Sequence, residues 1–222
     1  MIKDIKGIIF DMDGTLLDSL MAWDVLWARC GEKFLGDPNF RPSEEDDKIV
    51  RTSTFNDAMN YIHSVYNIAN NGEELLETLI EATADFYGND VVLKKGVLEF
   101  LEYCCKNGIK MCVATATSLD LINIAIDRCN IRKYFVDILS CDEIGKGKDN
   151  PDIYLMAMER LGTKLEETCV FEDSHIAIST AHNIGFKTVG IYDKYNFGHD
   201  EIKRISDIYI DDGETMRKLM EE

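Results

Sequence analysis

Six short apolar runs punctuate this chain: Gly7 to Phe10, Lys110 to Ala114, Asp137 to Cys141, Thr168 to Phe171, Lys187 to Ile191 and Asp207 to Ile210. They are rich in Val, Ile and Phe and lack the every-other-residue polarity of a strand with one wet face. Strands that are apolar on both sides need cover on both sides, and this selects a parallel sheet between layers of helix. The intervening stretches supply the helices. Ser118 is placed to cap one carrying Leu121, Ile122, Ala125, Ile126 and Cys129. Asn150 and Pro151 form an N-cap and first-position pair for another, which Gly162 closes, and Gly108 closes the helix of Val97, Leu101 and Cys104. Repeated strand–helix–strand order predicts a doubly wound, Rossmann-like α/β domain.

Between about Leu17 and Val91 that rhythm stops. No strand is expected there, and helices are expected over Leu20 to Leu35, after Ser43, after Thr54 and over Glu73 to Tyr87. Ser43 to Asp46 and Thr54 to Asp57 have the spacing of capping boxes with Asp in place of Glu. Phe55, Met59, Ile62 and Tyr66 then recur at helical spacing. The expected organisation is a core of residues 1–16 and 92–222 carrying an all-helical inserted cap domain of residues 17–91. Asp37 to Asp47 is polar and acidic and reads as a solvated loop. Trp23 and Trp27, four residues apart, read as core of the insertion.

Composition excludes several classes of partner. The formal net charge is −17, whereas nucleic acid and anionic membrane surfaces are bound through basic patches. No apolar run approaches the roughly 20 residues of a membrane span. Met1 to Lys6 passes straight into a strand without the apolar stretch of a signal peptide, so a cytoplasmic location is expected. The seven cysteines are odd in number, form no Cys-x-x-Cys and lie mostly in apolar runs. They read as buried free thiols of a reducing compartment. Cys104 and Cys105 are adjacent on a helix, where side chains diverge, so no vicinal disulfide is expected. The four histidines, His63, His175, His182 and His199, have no metal-ligand spacing.

The chemistry concentrates where the first strand ends, in Gly7-Ile8-Ile9-Phe10-Asp11-Met12-Asp13-Gly14-Thr15-Leu16-Leu17-Asp18-Ser19. In a doubly wound sheet ligands bind off the carboxyl ends of the strands, which is where Asp11 and Asp13 fall. Two acids so close repel as anions unless a cation joins them or one is protonated. A calcium loop would need its glycine at the sixth position, and Gly14 stands fourth counting from Asp11. Helix capping accounts for Asp18 and Ser19 but not for Asp11 and Asp13.

This segment resembles the first motif of the haloacid dehalogenase superfamily, in its β-phosphoglucomutase-like phosphatase branch. The other family motifs follow in order. Val113-Ala114-Thr115-Ala116-Thr117 resembles the second. Gly147-Lys148-Asp149-Asn150-Pro151-Asp152-Ile153-Tyr154 resembles the third, with a lysine three residues before Pro-Asp, a register that selects Lys148 over Lys146. Val170-Phe171-Glu172-Asp173-Ser174 resembles the acidic fourth. Gly145 to Lys148 is no phosphate-binding P-loop, because Asp follows Gly147-Lys148.

The resemblance implies a magnesium-dependent phosphatase acting on a small phosphate ester, such as a sugar phosphate, through an aspartyl-phosphate intermediate. Asp11 would be the nucleophile and Asp13 the general acid and base. The Thr115 hydroxyl, the Ala116 amide and Lys148 would hold the phosphoryl group. Asp11, the Asp13 carbonyl and Asp173 would ligate Mg2+, with Glu172 direct or one layer out. A local cation is what an acidic protein needs to bring phosphate to a carboxylate. A monomer is the expected state for this cap type.

Three departures from the family pattern stand out. Asp149 replaces the usual proline after the lysine, and Ala177 replaces a glycine after the fourth motif. Thr54, with Arg51 nearby, falls where the family's mutases place a cap arginine. That last difference favours phosphatase over phosphosugar mutase, and the intact catalytic set disfavours a silent metabolite-binding protein.

Overall fold

The computed structural model describes residues 4–52 and 55–220, without the side chains of residues 48, 51 and 52. Thr54 and the Thr54-to-Asp57 box therefore lie outside the described residues, as does the side chain of Arg51. In chain order the elements are β1 (Gly7–Phe10), β2 (Leu17–Asp18), α1 (Ala22–Leu35), α2 (Glu44–Thr52), α3 (Phe55–Tyr66), α4 (Gly72–Asn89), β3 (Val92–Leu93), α5 (Val97–Lys106), β4 (Lys110–Thr115), α6 (Leu119–Arg128), β5 (Asp137–Ser140), α7 (Cys141–Ile144), α8 (Asp152–Leu161), β6 (Thr168–Glu172), α9 (His175–Ile184), β7 (Lys187–Ile191), α10 (His199–Ile205) and β8 (Ile208–Ile210). The chain divides into two compact units, Met1–Leu20 with Val91–Glu222, and Met21–Asp90.

The larger unit is built on a six-stranded sheet in the order β5-β4-β1-β6-β7-β8, every pair parallel. The chain steps outward from β1 to β4 and β5, then returns to the other side of β1 at β6, so the strand order reverses beside β1. A doubly wound sheet opens its ligand crevice at such a reversal. Alternation along β1 feeds both helix layers. Ile9 packs with Tyr154, Ala157 and Leu161 of α8 and with Ala177 and Ala181 of α9. Phe10 points the other way, with ring centroids 6.2 Å from Phe100 of α5 and 4.8 Å from Phe171 of β6. Ala177, where the family pattern has glycine, is fully buried in that first layer.

Two short strands lie where the sequence pattern shows none. Leu17 and Asp18 pair antiparallel with Leu93 and Val92. A two-residue strand is too short to display a period, so only its partner across seventy-odd residues creates it. Boundaries elsewhere move by a residue: β5 ends at Ser140, with Cys141 opening α7, and Pro151 rather than Asn150 is the N-cap of α8. Asn150 still serves the helix start, its Oδ1 accepting the Asp152 N–H at 3.1 Å.

The smaller unit is helical, with a core of Leu26, Trp27, Cys30, Val50, Ala58, Met59, Ile62, Ile68, Leu75, Leu79 and Ala82. Trp27 is buried and donates from Nε1 to Asp47 at 3.0 Å, and Trp23 lies beside it with ring centroids 5.8 Å apart. The acidic stretch expected as loop through Asp47 turns helical at Glu44, because Ser43 accepts the Asp46 N–H at 3.2 Å and starts α2. The Ser43, Tyr61 and Tyr66 hydroxyls all donate to Asp46 and hold its carboxyl below the usual range. No helix among the described residues is long and apolar enough to cross a membrane.

All seven cysteines are free thiols. Burial pushes Cys30 and Cys141 up to about 11 and Cys104 and Cys112 up to about 12, and raises Cys169 as well. Thiolate is the reactive form. With a colorimetric thiol reagent at pH 8, exposed Cys105 should therefore react first and half-buried Cys129 more slowly. The other five should react only on unfolding; rapid native reaction of two or more of them would contradict this packing.

Candidate active site

Asp11 follows the last residue of β1, and its N–H donates to Phe171 O at 2.9 Å, which extends the β1–β6 pairing one residue beyond the strand. The register that sets Phe10 opposite Phe171 makes Asp11 and Glu172 the next residues of neighbouring strands. Asp173 follows at once. Carboxylate oxygens of Asp11, Glu172 and Asp173 lie within 4.8 Å of one another, and all three residues are buried. Among the described residues this is the only group of three or more acids, histidines or cysteines that converges in this way.

One lysine meets them. Lys148 Nζ donates to Asp11 Oδ1, and to Glu172 Oε1 at 2.6 Å, with its side chain only 10% exposed. Lys146, two residues earlier, pairs instead with Asp152 at the surface. Tyr154, fully buried on α8, donates its hydroxyl to the same Glu172 Oε1 at 2.9 Å. Thus the segment Lys148 to Tyr154 delivers a cation and a neutral donor to one carboxylate. Asp149, by contrast, is exposed.

The turn between Asp11 and Leu17 is built around Met12, whose carbonyl accepts the Leu16 and Leu17 N–H groups at 2.9 and 2.8 Å. Gly14 sits in it at φ +81, and a Cβ there would stand 2.3 Å from Asp173 Oδ2. Both the backbone conformation and the closeness of the carboxylate require glycine at this position. Thr15, fully buried, donates to Asp173 Oδ1 at 3.2 Å.

Asp13 occupies a different environment. Ser19 Oγ donates to its Oδ1 at 2.7 Å and Thr117 Oγ1 to its Oδ2 at 2.8 Å. Thr117 is held in turn, since Ser140 Oγ donates to its carbonyl at 2.9 Å and its own N–H donates to Thr115 Oγ1 at 3.1 Å. Thr115 is buried at the end of β4, and Ala116 is exposed beside it. Along the chain Thr15, Thr117 and Tyr154 stand only as motif neighbours and Asn196 has no role. Asp18 and Ser19 read as helix caps, but α1 starts after Met21 with no side-chain cap, and Ser19 serves Asp13 instead. Hydroxyl spacing around Asp13 was a usable signal; nothing local marked Tyr154 or Asn196.

The electrostatics are unbalanced: three buried carboxylates face one ammonium. Burial, with Asp11 nearby, pushes Glu172 up to about 7 against the pull of Lys148. Burial together with Asp11 and Glu172 raises Asp173 well above the usual carboxylate range. Burial would lower Lys148, but Asp11 and Glu172 outweigh it and keep the ammonium charged far above neutral pH. Such a cluster is short of positive charge. Its converging donors are all carboxylate oxygens, which suits a hard divalent cation and not a soft one. Each of the three acids offers an oxygen to such an ion.

Residues 8–191 match the model of a family described as haloacid dehalogenase-like hydrolase. A phosphorylated carbohydrates phosphatase of Thermotoga maritima is 26% identical over 194 residues, spanning 87% of this chain and 88% of its own length. A phosphoglycolate phosphatase of Vibrio parahaemolyticus is 30% identical over 200 residues, 88% of this chain and 87% of that protein. The crystal structure of a T. maritima protein provisionally assigned as a β-phosphoglucomutase superposes with a TM-score of 0.81 at 25% identity, over 98% of this chain and 99% of that one.

Replacing Lys148 by Met would leave buried Asp11 and Glu172 without the ammonium that pairs with both. Losing one partner of a buried ion pair costs about 3–5 kcal/mol. Urea unfolding in the presence of chelator should show a loss of that size for Lys148→Met. The same substitution at Lys146 should stay within about 0.5 kcal/mol, as for an exposed pair.

Proposed function

This chain belongs to the haloacid dehalogenase-like hydrolase family, and from that premise we propose that it is a magnesium-dependent phosphatase of small phosphorylated metabolites. The observation that carries the proposal is the convergence of Asp11, Glu172 and Asp173 on Lys148 at the carboxyl ends of β1 and β6. The phosphatase relatives support the reaction class, a phosphoric monoester hydrolysis, and the names of those relatives support a small, often sugar-derived substrate.

The reaction runs in two displacements. An Asp11 oxygen forms a bond to phosphorus while the bond to the ester oxygen breaks, and Asp13 gives its proton to that leaving oxygen. Water then attacks the aspartyl phosphate, Asp13 takes up the water proton, and inorganic phosphate leaves with Asp11 restored. The Ser19 and Thr117 hydroxyls hold both Asp13 oxygens, which fixes where the proton is given and taken. Lys148, paired with Asp11, offsets charge on the phosphoryl oxygens. Thr115 accepts from Thr117 N–H, which leaves its own hydroxyl hydrogen for a phosphoryl oxygen. A divalent cation, held by Asp11 and Asp173 with the Asp13 carbonyl, supplies charge neutralisation between an anionic nucleophile and an anionic substrate.

A phosphosugar mutase would share the first displacement but return the phosphoryl group to a sugar, so the product separates the two readings. Phosphate release should be measured over a panel of sugar phosphates, nucleotides and 2-phosphoglycolate, with Mg2+ and with chelator. Metal-dependent release is expected, and Asp11→Asn should lower kcat by at least about 10³-fold, as losses of a nucleophile do. Wild-type turnover by that variant would falsify the mechanism, and isomer formation without net phosphate would make the chain a mutase.

A further inference from the structure

Asp173 is gripped from two sides by donors that belong to neither the acid cluster nor Lys148. Thr15 reaches its Oδ1 from the β1 turn. Asn196, on the segment that leaves β7, donates from Nδ2 to Asp173 Oδ2 at 2.6 Å and to the Asp173 carbonyl at 2.9 Å. The amide can face only one way. Both atoms before Nδ2 are acceptors, while Oδ1 on the other side accepts the Phe197 N–H at 2.8 Å. A flipped amide would set oxygen against oxygen and nitrogen against N–H.

The segment bearing Asn196 is itself tied down. Lys94 Nζ pairs with Asp193 Oδ2 at 2.7 Å, with side chains 17% and 3% exposed, and donates to Tyr192 O at 3.0 Å. Asp193 then shapes the turn. Its Oδ1 accepts the Tyr195 N–H at 2.9 Å, and its carbonyl accepts the Asn196 N–H at 3.0 Å. A buried ion pair thus orders the turn, the turn orders Asn196, and Asn196 orders the carboxylate. By contacting both the side chain and the backbone of Asp173, a single amide suppresses rotation of the carboxylate as well as drift of the residue. Each carboxylate oxygen has more than one lone pair, so these bonds leave acceptor capacity for a cation.

We propose that Asn196 is a positioning residue of the cation site, holding Asp173 in its ligating orientation from outside the ligand set. The proposal rests on the reading that Asp11 and Asp173 bind a divalent cation. Asn196 touches a carboxylate of the cation site, so its effect belongs in metal affinity before it belongs in turnover. Partners of this kind change metal affinity by about 10–100-fold.

The test is Mn2+ binding, by electron paramagnetic resonance or calorimetry, to metal-free full-length protein without substrate. Asn196→Ala removes the amide, and Asn196→Leu removes it at nearly constant volume. Both variants should bind Mn2+ about 10–100-fold more weakly. The Mg2+ concentration for half-maximal turnover should rise by the same factor, with kcat largely recovered at saturating Mg2+. Folded variants with wild-type Mn2+ affinity would overturn the proposal, as would a fall in kcat that excess Mg2+ does not repair. If neither variant melts cooperatively, Asn196 is a fold determinant and the positioning role is rejected. Absence of Mn2+ binding by the wild-type protein would remove the cation reading itself, a result distinct from equal binding by wild type and variants.

Discussion

Like charges held together out of water set the terms for this structure. Three carboxylates converge within 4.8 Å, buried, against one ammonium. Left alone they would separate, hydrate or protonate, and the raised carboxyls of Glu172 and Asp173 show the tendency to protonate. What prevents separation is that the acids follow directly from adjacent strands in the middle of the sheet. Their backbones are fixed by parallel pairing and by aromatic packing of Phe10 and Phe171 beneath them. The covered sheet supplies the rigidity, and the repulsion it holds in place is of the kind a cation relieves.

Around that cluster the donors are apportioned. Glu172 takes Lys148 and Tyr154, Asp173 takes Thr15 and Asn196, and Asp11 shares Lys148. Asp13, two residues from Asp11, takes the hydroxyls of Ser19 and Thr117. The ammonium beside Asp11 offsets the charge that gathers when an anionic phosphate approaches. Two hydroxyls fix where the Asp13 oxygens lie, which is what proton transfer at a defined atom needs. One turn therefore presents two chemically distinct aspartates, and Gly14 is what lets that turn lie against Asp173.

Much of this could be read along the chain. Apolar runs without alternation marked the strands, because strands covered on both faces admit no other composition. Acids and a threonine at the ends of those runs marked the crevice, since strand ends are where such a sheet binds ligands. The partners one layer out were less legible, for differing reasons. Tyr154 looks like any aromatic on an apolar helix face until Glu172 is seen opposite its hydroxyl. Asn196 sits in a polar turn, where asparagine is ordinary. The β2–β3 pair has no signature, because each strand exists only through the other.

Alone, the sequence determined the local states: which runs are extended, which are helical, where the helical insertion interrupts the alternation, and which acids stand at strand ends. These follow from side-chain periodicity and capping, whose range is a few residues. Only the tertiary structure decided the strand order, the register placing Asp11 beside Glu172, and the grip of Asn196 on Asp173. Each joins residues far apart in sequence, through pairing and packing that no local pattern encodes, so they become visible only once the sheet has closed around its core.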